Sequence, residues 1–420
     1  MDLLTQQPRF ASLFHFEEST RCICEFKLAI RTVAIDGDTI VSGSDDNTVR
    51  IWNATSGEEQ HVLKGHSGWV LSVAMQDDTI VSGSYDKTVR IWKATTGEEQ
   101  HVLEGHSGSV YCVAIQGDTI VSGSGDKTVR IWNATSGGEK HVLKGHSHRV
   151  RSVAIQGDNI VSGSYDKTVR IWNATSGEEQ HVLKGHSGYV LSVAIQGDTI
   201  VSGSWDNTVR IWNATSGEEQ HVLSHSIWGA SCVYSVAIDG NIIVSGTGDS
   251  YARDNTVRIW NATSGEEQQV LNGHSSMVIC VAIDGDTIVS GSGDKTVRIW
   301  NAASGEEQHV LKELSGAIYR VAIQGDAIIT QSVNGTHYWN ARTGEARAPL
   351  DADEAEASTT PVTNTLGKVE NGTHVKLSEG TGFTTDHRVT RTACQGGVYV
   401  VGDVSGMVHI LHVRGMEPAT

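Results

Sequence analysis

Tryptophan recurs at a nearly constant interval through most of this 420-residue chain. The positions are Trp52, Trp92, Trp132, Trp172, Trp212, Trp260, Trp300 and Trp339, in steps of 40, 40, 40, 40, 48, 40 and 39 residues. A representative unit reads GHSGYVLSVAIQGDTIVSGSWDNTVRIWNATSGEEQHVLK. It contains four short segments rich in β-branched residues and separated by Gly and Asp turns, which is typical of short strands. Four such strands cannot bury an apolar face alone, so the units must pack against one another.

Three features recur in the units: a Gly-His pair early in most of them, an Asp six residues before seven of the eight Trp residues, and the Trp itself. With these features the units resemble the WD-repeat family of β-propellers. Asn usually replaces the Asp that the family places after the Trp, as at Asn53. The resemblance covers about residues 20–350. It implies an all-β fold, a single propeller of four-stranded blades.

The two ends of the chain bear on the number of blades. Residues 19–350 hold eight WD-type repeats, and residues 387–413 align with the first three strands of a degenerate closing blade. Residues 19–24 align with a last strand, so we expect this N-terminal strand to pair with the C-terminal blade and close the ring. Eight blades and nine blades both remain open. Residues 1–18 are interpreted as a lead-in, residues 351–386 as an acidic, Ser/Thr-rich insertion or linker, and residues 414–420 as a tail.

Composition excludes several classes of function. The formal net charge of −17 argues against sequence-independent binding of nucleic acid, which requires basic side chains. No apolar run approaches the roughly 18 residues of a membrane span, and the first residues lack the apolar core of a signal peptide. The six cysteines show neither disulfide nor zinc spacing, so we expect free thiols, no metal and no cofactor. A monomeric ring in the cytoplasm is expected, with the nucleus as the alternative location.

One His, one Ser, one Asp and one Trp recur together, and the resemblance implies that they form a hydrogen-bond network within each blade. A hydrolase triad uses the same residue types, but an enzyme needs one triad, whereas a scaffold needs one network per blade. The predicted network residues are His66, Ser82, Asp86 and Trp92; His106, Ser122, Asp126 and Trp132; His146, Ser162, Asp166 and Trp172; His186, Ser202, Asp206 and Trp212; and His274, Ser290, Asp294 and Trp300.

Three slots vary between units that are otherwise nearly identical. They flank the first Val of the unit and precede the loop Asp, and they are biased towards Trp, Tyr and Arg, the side chains enriched at interface hot spots. The propeller geometry that the resemblance implies places all three slots on one surface, the top face around the central channel. The predicted partner-binding residues are Trp69, Leu71, Tyr85, Tyr111, Arg149, Arg151, Tyr165, Tyr189, Leu191 and Trp205.

These features favour a non-catalytic scaffold that binds a protein or peptide on its top face. Lysines in the top turns, such as Lys87 and Lys127, favour a partner with acidic and apolar groups. One alternative is a substrate receptor of a cullin-type ubiquitin ligase, because residues 339–342 (WNAR) nearly match the Trp-Asp-x-Arg of such receptors. A second alternative is an enzyme centred on the channel, which would need convergent His, Asp or Glu there, where the repeat offers mainly Val, Ser and Ala.

Overall fold

In a computed structural model, consecutive antiparallel strands of the chain form eight four-stranded sheets arranged in a ring, a β-propeller. The structure describes residues 30–54, 57–225, 231–248, 254–312, 316–332 and 335–347, and the backbone of six further strands between residues 367 and 412. The described residues contain no helix, and hence no helix that could cross a membrane.

The strands of each blade follow one another in the chain, from the innermost to the outermost. Blade 1 is β1 (Ile30–Asp36), β2 (Thr39–Ser44), β3 (Val49–Asn53) and β4 (Glu59–Leu63). Blade 2 is β5 (Val70–Gln76), β6 (Thr79–Ser84), β7 (Val89–Lys93) and β8 (Glu99–Leu103). Blade 3 is β9 (Val110–Gln116), β10 (Thr119–Ser124), β11 (Thr128–Asn133) and β12 (Glu139–Lys144). Blade 4 is β13 (Val150–Gln156), β14 (Asn159–Ser164), β15 (Thr168–Asn173) and β16 (Glu179–Lys184).

The second half of the ring repeats this order. Blade 5 is β17 (Val190–Gln196), β18 (Thr199–Ser204), β19 (Thr208–Asn213) and β20 (Glu219–Ser224). Blade 6 is β21 (Cys232–Asp239), β22 (Ile242–Gly248), β23 (Val257–Asn261) and β24 (Glu267–Leu271). Blade 7 is β25 (Val278–Asp284), β26 (Thr287–Ser292), β27 (Val297–Asn301) and β28 (Glu307–Leu311). Blade 8 is β29 (Ile318–Gln324), β30 (Ala327–Ser332), β31 (Gly335–Asn340) and β32 (Ala346–Arg347).

The hydrophobic core lies between neighbouring blades. In one such cluster Val161 and Ile171 of blade 4 pack with Val190 and Trp212 of blade 5. Other adjacent pairs of blades form equivalent clusters. The second strand of a blade is covered on both faces and is buried along most of its length, as Thr119–Ser124 shows. A blade therefore becomes stable only when its neighbours cover it, as the repeat pattern predicts.

The ring closes directly between blade 8 and blade 1. Strand β29 packs against β1, and Ile40 and Trp52 of blade 1 share a buried cluster with Ile329 and Tyr338 of blade 8. A recurring hydrogen bond also crosses this seam: Gly37 N donates to Gln324 Oε1 at 3.0 Å. The same bond joins blades 2 and 3, where Gly117 N donates to Gln76 Oε1 at 2.8 Å. The seam is thus built like the other junctions, and the described ring has eight blades.

Closure by a borrowed N-terminal strand is not how this ring closes. Eight blades of four consecutive strands are already complete within residues 30–347, so no strand needs to be supplied from elsewhere. Residues 19–24 lie outside the described residues. The 387–413 segment forms a separate three-stranded sheet of β36 (Val389–Gln395), β37 (Val398–Asp403) and β38 (Val408–His412). Another three-stranded sheet, β33 (Gly367–Glu370), β34 (His374–Leu377) and β35 (Gly382–Thr384), lies within the 351–386 segment.

Candidate partner-binding face

The slots that vary between repeats meet at one end of the blades. This end, the top face, carries the loops that enter each first strand and the turns between second and third strands. One backbone hydrogen bond holds two variable slots side by side. Tyr85 N donates to Trp69 O at 2.8 Å, and Trp205 N donates to Tyr189 O at 2.9 Å. Positions 16 residues apart are thereby made neighbours, which explains why aromatic residues at both can form one surface.

Five of the predicted residues form a continuous run of contacts across blades 3 to 5, here called the aromatic ladder: Tyr111, Arg149, Tyr165, Tyr189 and Trp205. The Arg149 guanidinium carbon lies 5.9 Å from the Tyr111 ring centroid and 4.9 Å from that of Tyr165. The rings of Tyr165 and Tyr189 are stacked at 4.4 Å, and Tyr189 contacts Trp205 at 5.1 Å. Aromatic and cation–π contacts of this kind hold the side chains in one arrangement.

A second group lies on blades 1 and 2. The Trp69 ring is 5.7 Å from that of Tyr85, and the guanidinium carbon of Arg31 is 4.6 Å from the Trp69 ring. Asp45 holds Arg31 in place, accepting from Nη2 at 2.9 Å. Trp69 is 42% exposed and Tyr85 56%, and on the ladder Trp205 is 40% exposed. Large apolar side chains that are ordered and yet this accessible are available for a partner to bury.

The remaining three predicted residues each lie in a β-bulge near the start of the first strand of their blade. Leu71, Arg151 and Leu191 are each the extra residue of such a bulge, and all three are half-buried. Arg151 does not extend the aromatic ladder. It interacts electrostatically with Cys112 and Arg320 on the innermost strands of blades 3 and 8.

Two residues of this face were missed in the sequence. Arg31 lies in the same slot as Arg151 in the first repeat. His148 lies 5.7 Å from Tyr165 and 6.2 Å from Tyr189, beside their stack. It stands where blade 5 has Gly188, at which a Cβ atom would come within 2.5 Å of Asp206 N. The sequence does contain a signal for His148: residues 145–148 read GHSH where residues 185–188 read GHSG, so a large side chain replaces glycine at a tightly packed position.

The predicted network forms in blades 2, 3, 4, 5 and 7. In blade 2, His66 Nδ1 lies 2.8 Å from Asp86 Oδ2, and His66 Nε2 lies 2.8 Å from Ser82 Oγ, which accepts from Trp92 Nε1 at 2.8 Å. The four other sets repeat these distances within 0.1 Å. Each His is buried against its Trp, so the network satisfies polar groups inside the blade.

The network also sets the ionisation of its aspartates. Burial alone raises the pKa of the Asp86 carboxyl, but hydrogen bonds from His66 and Thr88 outweigh burial and hold that pKa well below its usual range. The corresponding aspartates behave alike: Asp126, Asp166, Asp206 and Asp294. A carboxylate only accepts, so the histidine Nδ1 that faces it carries a proton. This arrangement stabilises a turn and repeats around the ring.

Three blades depart from this pattern. In blade 6, His225 Nε2 lies 2.7 Å from Ser245 Oγ. Within the described part of this blade neither His225 Nδ1 nor Asp254 Oδ2 has a hydrogen-bond partner, although Asp254 Oδ2 lies 3.5 Å from Arg258 Nη2. Burial, together with the nearby charge of Arg258, lowers the pKa of His225 well below its ordinary value. Blades 1 and 8 keep the indole bond without the histidine: Trp52 Nε1 donates to Ser42 Oγ at 3.0 Å and Trp339 Nε1 to Thr330 Oγ1 at 2.8 Å.

The residues relevant to the two alternative functions also have defined positions. Arg342 lies in an exposed turn after β31, and its Nε donates to Asp326 Oδ1 at 2.8 Å. Among the described residues, no three His, Cys, Asp or Glu side chains are grouped so that they could hold a metal ion.

Seven segments of the chain match the family model described as "WD domain, G-beta repeat". They are residues 20–53, 57–93, 97–133, 137–173, 177–213, 217–261 and 265–301. The chain belongs to the WD-repeat family. The match covers more than half of the chain and confirms the resemblance seen in the repeats.

Curated relatives match over single repeats. A 44-residue segment is 52% identical to WD repeat-containing protein pop1 of Schizosaccharomyces pombe, covering 10% of this chain and 6% of that protein. A 37-residue segment is 49% identical to Ribosome assembly protein 4 of Chaetomium thermophilum, covering 9% and 7%. Among solved structures, the computationally designed protein Ika8 superposes with a TM-score of 0.69 and 27% identity, over 75% of this chain and 96% of Ika8.

Proposed function

We propose that this WD-repeat protein is a non-catalytic scaffold that binds a protein or peptide partner on its top face. The observation that carries the proposal is the aromatic ladder, in which five side chains from three blades form one ordered run of contacts. Neutral drift in duplicated repeats would scatter small polar residues over these slots. A contiguous, partly exposed group of Tyr, Trp and Arg is instead typical of a binding hot spot.

The charges around the ladder define the partner further. Lys87, Lys127 and Lys167 are exposed in the top turns, each two residues after a variable slot. Glu59 and Asp118 are exposed at the opposite ends of their blades. The molecule carries a net charge of −17, so a locally basic and aromatic top face would steer towards itself a partner with acidic and apolar groups.

The test is whether a partner still binds after three aromatic side chains have been removed from the top face. Affinity purification followed by mass spectrometry would compare the unmodified protein with the Trp69→Ala/Tyr165→Ala/Trp205→Ala variant. A matched control, Val102→Ala/Val222→Ala/Val270→Ala, removes exposed apolar side chains from three outermost strands. We expect the top-face variant to lose partners that the control retains. Equal recovery by both variants would contradict the proposal.

A further inference from the structure

His148 occupies a position of the top face at which other described blades carry small residues. The position holds Gly68, Gly108 and Gly188 in blades 2, 3 and 5, and Ser276 in blade 7. A Cβ atom added to Gly68 or Gly108 would lie only 2.8 or 2.7 Å from the backbone nitrogen of the loop Asp. The repeat itself therefore does not require an imidazole here, and the contacts that His148 makes are particular to blade 4.

The ring of His148 accepts a hydrogen bond from the next residue in the chain. Arg149 N donates to His148 Nδ1 at 2.8 Å. A neutral imidazole has one nitrogen that accepts and one that carries a proton, so this bond places the proton of neutral His148 on Nε2. The glycines of blades 2, 3 and 5 have no side chain that could accept such a bond.

The carbonyl side of Arg149 is fixed as well. Arg149 O accepts from Tyr165 N at 3.1 Å and from Ser164 Oγ at 2.9 Å. Ser164 Oγ also lies 3.1 Å from His148 O. The backbone of Arg149 is thus held through both its N–H and its C=O groups, and the bond to the imidazole is the one that holds the N–H group.

The position of Arg149 determines whether the aromatic ladder is continuous. Its guanidinium contacts Tyr111 of blade 3 and Tyr165 of blade 4, and so joins these two blades. The imidazole of His148 itself lies against both stacked rings, 5.7 Å from Tyr165 and 6.2 Å from Tyr189, with its plane inclined by 32° and 33°. One side chain therefore supports both the cation and the stacked pair.

Protonation of His148 would remove this support. An imidazolium carries a proton on both nitrogens and accepts no hydrogen bond, so Arg149 N would lose its acceptor and face a second N–H group. Two cations would then lie against the same ring, that of Tyr165. His148 is exposed to solvent, and histidine is the side chain that changes its charge between pH 5 and 8.

The groups around the imidazole would not offset its new charge. Tyr165 and Tyr189 face it from blades 4 and 5, and phenols carry no charge near neutral pH. Asp166 and Asp206, the carboxylates next to ladder residues, already accept from the histidine, the threonine and a backbone N–H of their own networks. The remaining charged neighbour, Arg149, is itself a cation.

We propose that His148 is a positioning residue that makes the top face sensitive to pH. When neutral, it holds Arg149 and the stacked tyrosines in the aromatic ladder, and when protonated, it releases them. Partner binding would then weaken as the pH falls through the range in which histidine titrates, and a bound partner would in turn disfavour protonation. This regulation rests on the function proposed above and deepens it.

The positioning step can be tested without a partner, in the full chain labelled with nitrogen-15 arginine. The amide resonance of Arg149, assigned by its absence from Arg149→Lys, is followed from about pH 7.5 to about pH 5.5. We expect it to move upfield as the hydrogen bond to His148 is lost. Two variants serve as references, and their melting temperatures at both pH values show that they are folded.

His148→Asn provides an acceptor oxygen that does not titrate, so the Arg149 resonance should stay at its high-pH position throughout. His148→Gly introduces the residue of blades 2, 3 and 5 and removes the acceptor, so the resonance should stay near its low-pH position. A resonance that does not move in the unmodified protein, or that moves equally in His148→Asn, overturns the proposal.

The effect on binding is measured with the partners that Trp69→Ala/Tyr165→Ala/Trp205→Ala fails to recover. They are captured at about pH 7.5 and eluted at about pH 5.5, above the range in which the network aspartates titrate. We expect at least about fivefold more release from the unmodified protein than from His148→Asn. Equal release overturns the pH coupling. Absence of any such partner would contradict the proposed function, while the Arg149 resonance would still decide the role of His148.

Discussion

The phenol rings of Tyr165 and Tyr189 lie parallel, with centroids 4.4 Å apart and planes that differ by 1°. Tyr165 follows the second strand of blade 4, and Tyr189 precedes the first strand of blade 5. The stack therefore joins two blades at the top face. His148 lies beside both rings, and Trp205 continues the run. A rigid aromatic surface of this kind would lose little side-chain entropy on binding the proposed partner.

Replacement of Trp205 by alanine should weaken partner binding without unfolding the ring. The side chain is 40% exposed, and an exposed hot-spot tryptophan contributes about 1–2 kcal/mol or more to binding. The melting temperature should stay near that of the unmodified protein, because few buried contacts are lost. Titration calorimetry with a purified partner would measure the affinity. Unchanged affinity would remove Trp205 from the binding site.

Replacement of His186 by alanine should have the opposite effect. It removes two buried hydrogen bonds from blade 5, one to the Asp206 carboxylate, worth about 1.5–3 kcal/mol, and one to the Ser202 hydroxyl, worth about 0.5–1.5 kcal/mol. Urea denaturation should show a clear loss of stability, and partner affinity of the folded protein should change little. If His186→Ala and Trp205→Ala gave the same phenotype, the division into structural and binding residues would be wrong.

Acid should destabilise the ring through its five network aspartates. Their pKa values are lower in the folded protein than in the unfolded chain, so their contribution to stability is complete above the unfolded pKa of about 4. It declines as the pH falls further towards the folded pKa values, because the unfolded chain then binds more protons. The melting temperature, measured at a series of pH values from 7 to 3, should therefore decrease once the pH drops below about 4.

The matched control for this pH dependence is Asp206→Asn. It should lower the melting temperature at pH 7 and reduce the difference between pH 7 and pH 3, because one of the five titrating groups is gone. A variant with an unchanged pH dependence would show that these carboxylates do not govern acid stability.

Closure of the ring can be tested at its seam. Gln324→Ala removes the acceptor for Gly37 N, and Gln76→Ala removes the same acceptor between blades 2 and 3. If blade 8 packs on blade 1 as an ordinary junction, both variants should lose a similar amount of stability, about 0.5–1.5 kcal/mol in urea denaturation. Loss at Gln76 alone would indicate an open array.

The repeat allowed the fold to be predicted from the sequence. Trp at a 40-residue interval and the His, Ser and Asp at fixed offsets specify both the blade and its internal hydrogen bonds. The number of blades could not be predicted, because the 387–413 segment repeats the strand pattern of a blade. Only the packing of the folded ring shows which blade adjoins blade 1. Ile329 and Trp52, 277 positions apart in the chain, meet at that seam.

The candidate site could be predicted from the sequence only in part. The variable slots selected Tyr165, Tyr189 and Trp205, because aromatic residues stood out against nearly identical repeats. Which neighbours touch depends on rotamers and on the spacing of blades, which one-dimensional alignment does not contain. Arg149 and Arg151 illustrate this limit: they are two residues apart, but the first contacts the aromatic ladder and the second interacts electrostatically with Cys112 and Arg320 on the innermost strands of other blades.

A binding role for the top face is tested most directly by affinity purification with the Trp69→Ala/Tyr165→Ala/Trp205→Ala variant and its outer-strand control. We expect specific partners to be recovered with the unmodified protein and with the control, and to be lost with the top-face variant, while all three proteins melt at similar temperatures. Recovery of the same partners by all three would contradict a binding role for the top face.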